Sequence, residues 1–408
     1  MKKILFVINT LGHAGAEVAM LELFRHLSPE EYEVSLYVIM GQGELVHRLP
    51  AHVKLLNGHY SDASVLSAEG QRNMKKNVIR AFFHHGNMLG KAWYILSNLV
   101  AMIRDGKILP DKLLWRVLSD GAEYPEETYD LAVAYLEGGS AYYIADHVQA
   151  KRKAAFIHID YGSSGYTRTL DRDCYLRYDR IFPVSDEVRE HFLLAYPECE
   201  AKTTVFHNLI DQERIREKAK EAGGFLDGYS GIRLLTVGRL TYQKAYEIAI
   251  DAMRLLKDAG WPVRWYVLGE GPERPVLEKK IAQLGLEEDF ILLGAVSNPY
   301  PYYVQTDIYV HATRFEGKSI AIQEAQTLGC AIIASDCNGN REQITHGSDG
   351  LLCELSAKGI KNSIVELLEQ KDKREMFGHA AGQRKIVHEG DLQKLLVLMN
   401  KEVIHGKE

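Results

Sequence analysis

Residues 307–325 read Asp307-Ile308-Tyr309-Val310-His311-Ala312-Thr313-Arg314-Phe315-Glu316-Gly317-Lys318-Ser319-Ile320-Ala321-Ile322-Gln323-Glu324-Ala325. A short apolar run, Ile308–His311, gives way to a polar loop, and a helical pattern follows from Ile320. The run has the character of a strand buried on both faces, and Ser319 is a good N-cap type for the helix. A strand that hands over to a helix is half of a βαβ unit, so the stretch points to a parallel, doubly wound α/β sheet. It also sets a helix start beside strand ends, where unpaired N–H groups and the positive dipole end favour phosphate. Glu324 lies a little over one turn inside the helix, where a carboxylate can grip ribose hydroxyls. Glu316 lies in the loop before it, where it can reach a sugar attached beyond the phosphates, although either acid taken alone reads as a solvated surface carboxylate.

Outward from this stretch the alternation repeats. In the same half, apolar runs at Ile232–Val237, Val263–Leu268, Phe290–Leu293, Ala331–Ala334 and Leu351–Cys353 alternate with helical patterns at Lys244–Ala259, Glu273–Leu284 and Ile320–Leu328. The first half has its own runs at Ile4–Ile8, Glu33–Ile39, Val53–Leu56, Leu131–Leu136, Ala154–Ile159 and Arg180–Val184, with a helix over Gly15–Leu27. Between them, residues 213–231 are dense in charge and then rich in glycine, as in an interdomain connection. The expected architecture is α/β, with two Rossmann-like doubly wound parallel-sheet domains. The first covers 1–212 with a helical insertion at 71–118; after a linker at 213–231, the second covers 232–390. A C-terminal helix at 391–408 returns to the first domain. A length of 408 residues suits two such domains.

Hydrophobic residues are 46% and charged residues 25%, which excludes general disorder. The net charge of −6 argues against bulk nucleic-acid binding. Five cysteines without a C-x-x-C pair suit a reduced, cytoplasmic compartment better than a disulfide framework or a zinc site. The opening run Ile4–Ile8 stops at Asn9 without a cleavage pattern and reads as a first strand rather than a signal peptide.

The −6 is an average. Residues 71–118 hold nine Lys/Arg against Asp105 and Asp111, a local +7, so the remainder carries −13. Within them Leu89, Trp93, Leu96, Val100 and Ile103 share one helix face. Two readings follow: a helical insertion packed on the first domain, or a basic amphipathic element facing an anionic membrane or a lipid-linked substrate.

Three further features carry chemistry. Val237-Gly238-Arg239-Leu240-Thr241-Tyr242-Gln243-Lys244 follows the first strand of the second half, at the strand end where open α/β sheets bind ligands. Arg239 can fork onto a diphosphate and Lys244 adds a second charge, so the pair can neutralise a departing diphosphate. Thr10-Leu11-Gly12-His13-Ala14-Gly15-Ala16-Glu17 is a small-residue turn after the first strand. His158, in Phe156-Ile157-His158-Ile159-Asp160, ends another strand. Asp171-Arg172-Asp173 is formally a D-x-D, a pattern expected by chance and not placed at an obvious strand end.

Together these features resemble the retaining glycosyltransferases of GT-B fold, family 4, also called glycosyltransferase group 1. The resemblance covers nearly the whole chain and is strongest from Leu234 to Leu352. The family's E-x7-E is matched by Glu316 and Glu324, and its basic pair by Arg239 and Lys244. Leu268-Gly269-Glu270-Gly271-Pro272, Leu293-Gly294 followed by Ala295 and Val296, and Asp336-Cys337-Asn338-Gly339-Asn340-Arg341-Glu342 look like further landmarks. Gly15-Ala16-Glu17 looks like the family's glycine loop and His158 like its strand-end histidine. The segments 129–139 and 157–160 are similar to bacterial capsule and cell-wall polysaccharide transferases. Ala14, Ala245 and Lys318 depart from the pattern without removing a charged group the chemistry needs.

The resemblance implies two domains facing a cleft, with a nucleotide-sugar, expected to be a UDP-sugar, held mainly by the second. The implied donor-binding positions are Gly238, Arg239, Lys244, Gly269, Ala295, Val296, Glu316, Gly317, Lys318, Ser319, Ile320 and Glu324, with Gly15 and Ala16 in the first domain. Arg239 and Lys244 would stabilise the leaving diphosphate, helped by backbone N–H groups near Ser319 and Ile320. Glu324 would hold the ribose, Glu316 the hexose, and His158 the donor sugar near the reacting centre. The family's route is front-face substitution with retention, needing no metal and no cofactor. The implied acceptor is a glycan or lipid-linked molecule in bacterial surface polysaccharide synthesis, met in the cytoplasm or on the inner face of an anionic membrane. Two alternatives stay open: another enzyme of the same fold, such as a sugar-nucleotide epimerase or phosphorylase, or a non-catalytic partner in a polysaccharide assembly complex.

Overall fold

The computed structural model describes residues 1–65, 67–104, 109–162, 164–386 and 389–400. It divides into two compact units: Met1–Leu209 with the segment from His388 onward, and Ile210–Val387.

The first unit is built on strands β1 (Lys2–Ile8), β2 (Tyr32–Val38), β3 (Val53–Leu55), β4 (Tyr129–Ala134), β5 (Ala150–Ile157) and β6 (Arg180–Pro183). They form a parallel sheet in the order β3-β2-β1-β4-β5-β6. The second unit has β7 (Ile232–Val237), β8 (Val263–Leu268), β9 (Phe290–Gly294), β10 (Ile308–His311), β11 (Ile332–Ser335) and β12 (Leu351–Cys353), in the order β12-β11-β10-β7-β8-β9. These strands are also parallel. Both sheets are covered on both faces, which is why their central strands read as unbroken apolar runs. Ile4 to Ile8 are fully buried, as are Leu234, Val267, Ile308 and Ile333. In each sheet the strand order reverses once, between β1 and β4 and between β7 and β10, and such reversals open a crevice at the carboxyl ends.

Local differences from the sequence reading have local causes. Gln212–Lys218 is a helix rather than a connection, because Asp211 caps it by accepting the Arg214 N–H at 2.9 Å, and Gln212 Nε2 donates to Thr327 Oγ1 at 3.2 Å. The expected linker therefore starts as part of the second unit. The helix after Lys244 begins only at Tyr246, since residues 242–244 form a short 3₁₀ turn and Ala245 takes a positive φ of 47°. The C-terminal helix Glu389–Asn400 groups with the first unit, where Lys394 Nζ donates to the Val205 carbonyl at 2.7 Å and Leu395 is fully buried. Residues 401–408 of that expected helix lie outside the described residues.

The insertion forms three helices, Ala68–Phe83, Met88–Arg104 and Pro110–Asp120, with residues 105–108 outside the described set. The packed face of the middle helix is not the apolar stripe. It is Lys91, Tyr94, Asn98 and Met102, while Leu89, Trp93, Leu96, Val100 and Ile103 are exposed. The insertion packs on the first unit, with Ala81 and Leu118 in its core, but the apolar stripe is not the face it packs with. The physical reason lies in the anchors: Lys91 Nζ donates to the Ala81 and His84 carbonyls at 2.7 Å each, closing the end of the preceding helix, and Tyr94 Oη donates to the Leu170 carbonyl at 3.1 Å. These bonds fix the rotation of the helix. Among the described residues no helix is long and apolar enough to cross a membrane.

Candidate functional site

In the second unit, the loops leaving β7 and β10 sit on either side of the strand-order reversal, and both carry sequence-marked residues. The turn after β7 depends on close backbone approach. Gly269 has φ of +151°, and a Cβ there would stand 1.9 Å from the Gly238 carbonyl oxygen. The two loops are stitched by Gln243: its carbonyl accepts the Arg314 N–H at 2.8 Å, and its Nε2 donates to the Phe315 carbonyl at 2.8 Å. Gly339 lies so close beneath the second loop that a Cβ would meet the Glu316 and Gly317 carbonyls at 2.2 Å. The loop bearing Glu316 is thus held from two sides.

That scaffold brings Lys244 and Glu316 together as an ion pair, each side chain 14% exposed. His311, fully buried at the end of β10, completes the cluster. Its Nε2 lies 3.1 Å from Glu316 Oε2 and 3.4 Å from Lys244 Nζ, while its Nδ1 lies 3.2 Å from Tyr309 Oη. Burial alone would raise the Glu316 pKa, but the Lys244 charge and the His311 hydrogen bond outweigh it and bring it down to about 2. Burial, with Lys244 nearby, lowers the His311 pKa and keeps the ring neutral. The cluster therefore presents a fixed carboxylate beside an ammonium group. Arg239 is exposed at the β7 end, and its side chain has no hydrogen-bond or ion-pair partner among the described residues.

The helix after the loop is Ile320–Thr327, and Ser319 caps it by accepting the Ile322 N–H at 3.4 Å. Gln343 clamps the cap: its Oε1 accepts the Ser319 N–H at 2.7 Å, and its Nε2 donates to the Ser319 carbonyl at 2.8 Å. This corrects one expectation, because the Ser319 N–H is engaged inside the protein and the outward donors fall to the residues after it. Glu324 is buried, accepting the Tyr300 hydroxyl at Oε1 and the Tyr303 hydroxyl at Oε2, both at 3.1 Å. Ala295 is exposed just beyond β9, and Val296 packs partly against the core beside β8 and β10.

The first unit has its own polar layer at the strand ends. Gly15 and Ala16 open the helix Gly15–Arg25. Asn9, just after β1, donates from Nδ2 to the Glu137 carbonyl and accepts the Ser140 N–H at Oδ1, both at 2.8 Å. Glu137, just after β4, is buried, and burial raises its pKa. It accepts the backbone N–H groups of His158 and Ile159. The His158 Nε2 is shielded from water and without a hydrogen-bond partner, and burial lowers the ring pKa to about 3.

Of the residues singled out in the sequence, the structure brings Lys244 and Glu316 together, and it adds His311, Gln343, Asn9 and Glu137, which the sequence reading did not single out. A polar residue closing an apolar strand run was the available signal for His311. The D-x-D does not form a metal pair. Asp171 is fully buried and accepts the Tyr142 hydroxyl at 2.7 Å, the Tyr196 hydroxyl at 3.1 Å and the Tyr161 hydroxyl, and burial raises its pKa to about 6. Asp173 pairs instead with Arg168 at 2.7 Å. Asp120, Asp146 and His147 place ligand atoms within 4.8 Å of one another, but Asp146 is already spanned by Arg116 and Arg177.

Comparison with known proteins bears on both units. Residues 230–384 match the family model of glycosyl transferases group 1. A Campylobacter jejuni N-acetylgalactosamine-N,N'-diacetylbacillosaminyl-diphospho-undecaprenol 4-alpha-N-acetylgalactosaminyltransferase is 30% identical over 216 residues, 52% of this chain and 56% of that protein. The Staphylococcus aureus capsular polysaccharide biosynthesis glycosyltransferase CapM is 25% identical over 179 residues, 43% of this chain and 45% of that protein. The chain thus spans about half the length of these curated relatives. Among solved structures, Anabaena HepE in complex with UDP and glucose aligns with a TM-score of 0.64 at 16% identity, covering 98% of this chain and 97% of that one. TarM aligns with a TM-score of 0.66 at 14% identity, covering 98% and 99%. At such identities the likeness shows the fold: two α/β units of GT-B type, each with a six-stranded parallel sheet.

Proposed function

From the match of residues 230–384 to the glycosyl transferases group 1 model, we propose that the chain is a retaining glycosyltransferase of bacterial surface polysaccharide synthesis. It moves a hexose from a UDP-sugar to a glycan or lipid-linked acceptor. The observation that carries the reading is the Lys244–Glu316 pair, with the exposed Arg239 in the same loop as Lys244 and Glu324 buried in the helix after Glu316. The UDP assignment is supported by the UDP bound in HepE, and the lipid-linked acceptor by the undecaprenol in the Campylobacter enzyme's name. The latter also goes with a place at the inner face of the cell membrane.

The chemistry follows from charge. Glycosyl transfer leaves a nucleoside diphosphate whose negative charge grows as the bond to the sugar breaks. Arg239 offers a forked donor to it, and Lys244 a point charge. Lys244 is paired with Glu316. An arriving diphosphate competes for the ammonium and releases Glu316, which as a carboxylate only accepts hydrogen bonds and so suits the hydroxyls of the hexose. Glu324 keeps acceptor capacity beyond its two tyrosine bonds for ribose hydroxyls. In the first unit, His158 at the end of β5 is the proposed contact to the donor sugar. Because the basic pair supplies the countercharge, the reaction is proposed to need no metal and no cofactor.

The test is a screen of UDP- and GDP-sugars by thermal stabilisation and donor hydrolysis, with and without EDTA. A UDP-hexose at about 100 times its Kd would stabilise the protein by about 2.7 kcal/mol, with turnover indifferent to EDTA. Failure of every nucleotide-sugar to shift the melting temperature overturns the reading.

A further inference from the structure

The helix Met88–Arg104 is amphipathic in the inverse sense. Its packed side includes Lys91, Tyr94 and Asn98, and its outward side is a continuous apolar stripe. Leu89 is 88% exposed and Trp93 70%, and Leu96, Val100 and Ile103 are each more than half exposed. On the preceding helix, Ala68–Phe83, Ile79 and Phe83 are exposed to a similar degree. Scattered apolar residues on a surface need no explanation, but a contiguous patch of this size marks a binding face.

The surrounding charge identifies the partner. Every charged side chain from Gly70 to Arg104 is basic: Arg72, Lys75, Lys76, Arg80, Lys91 and Arg104. Lys91 is consumed internally, and Arg80 lies 3.8 Å from Glu123. Arg72, Lys75 and Lys76 are exposed and have no ion-pair partner among the described residues. Arg72 and Lys76 fall on the same helical face as Ile79 and Phe83 at spacings of four and three. A protein partner covering this patch would have to be apolar and acidic at once. An anionic bilayer supplies both, with acyl chains for the stripe and headgroups for the lysines and arginines. Trp93 stands within the stripe, a residue type favoured at the headgroup level. The helix has 17 residues, about 25 Å at 1.5 Å per residue, and lies in the interface rather than across it.

We infer that the first unit docks on anionic phospholipid membranes through the outward faces of helices Ala68–Phe83 and Met88–Arg104, with the Leu89–Ile103 stripe inserted among the headgroups. The inference deepens the acceptor side of the proposed function. Docking is read without donor or turnover, so the two can fail separately.

The test is co-sedimentation of the full chain with vesicles of 30% phosphatidylglycerol in phosphatidylcholine, against pure phosphatidylcholine, at 50 and 500 mM salt. Binding to the anionic vesicles should exceed binding to the neutral ones at least tenfold at low salt and weaken several-fold at high salt. Trp93→Glu with Leu96→Glu should cut it at least tenfold, and Arg72→Glu with Lys76→Glu should remove the lipid preference, with circular dichroism unchanged. A blue shift of tryptophan emission on vesicle addition should vanish in Trp93→Phe. Equal affinity for both vesicles, or no binding to either, overturns the inference. So does a dimer in light scattering that the Trp93/Leu96 variant disperses while vesicles are ignored, which would assign the face to a second copy of the chain.

Discussion

Glu137 accepts the backbone N–H of His158, and that of Ile159 at 2.9 Å, across the gap between the ends of β4 and β5. A buried carboxylate therefore sets where the β5 chain turns, and with it the direction of the His158 ring. Asn9 ties the same point to β1 through the Glu137 carbonyl. Removing the acceptor strands two N–H groups away from water, at roughly 1–3 kcal/mol each. Glu137→Ala is expected to lower the melting temperature by several degrees and donor turnover at least tenfold. Glu137→Gln, which keeps an acceptor oxygen, should recover most of both. Equal damage in the two variants would show that the carboxyl oxygen is not what positions the turn.

The Lys244–Glu316 pair predicts a kinetic split. Lys244→Ala should cut turnover at least tenfold with the fold intact, because the diphosphate loses a charge that grows in importance as the bond breaks. Glu316→Gln should mainly weaken sugar recognition. Since the groups touch, their effects should not add, and a double-mutant cycle should show coupling of about 0.5–3 kcal/mol. Undiminished turnover in Lys244→Ala would remove the diphosphate role.

Acid should expose the same cluster. Glu316 is held at about 2, well below the ordinary 4.5 of a glutamate, so its contribution is present above pH 4.5 and is lost as pH falls towards 2. His158 and His311 are both lowered from 6.5, so they are neutral in the fold and begin to oppose it once pH drops below 6.5. Stability by denaturant titration should therefore decline from about pH 6.5 and steepen below 4.5. Glu316→Gln should flatten the lower part alone, by on the order of 2–3 kcal/mol. A wild-type curve that stays level from pH 7 to pH 4 would contradict the geometry.

Gln343 holds the Ser319 backbone by both its N–H and its carbonyl, at 2.7 and 2.8 Å. Gln343→Ala should cost about 1–3 kcal/mol and raise the KM for the nucleotide-sugar more than it lowers kcat, since it loosens the helix start proposed to meet the phosphates. Gln343→Glu should be worse, because a carboxylate cannot donate to the Ser319 carbonyl. Unchanged KM in both variants would show that the clamp is separate from donor binding.

Much of this was legible in the chain itself. The strands were visible because a parallel sheet covered on both faces demands unbroken apolar runs, as at Ile4–Ile8 and Ile308–His311. The loops after β7 and β10 were visible because glycine, Arg239, Lys244, Glu316 and Ser319 are types with few reasons to cluster after buried strands. Gln343 and Glu137 were not, since each acts on backbone groups distant in sequence and looks like any other polar residue. His311 was hidden inside a strand pattern that its burial made plausible without function.

The sequence by itself determined that there are two doubly wound α/β series, which residues follow their central strands, and that one basic segment interrupts the first. Hydrophobic period, turn chemistry and charge are local quantities, and these features rest on nothing else. Only the tertiary structure decided that Lys244 neutralises Glu316, that Gln343 occupies the Ser319 N–H, and that the Leu89–Ile103 stripe faces outward. Helical periodicity shows that a face is apolar but not which way it points. That direction was fixed by Lys91 and Tyr94, whose bonds to the Ala81, His84 and Leu170 carbonyls turn the polar side of the helix inward.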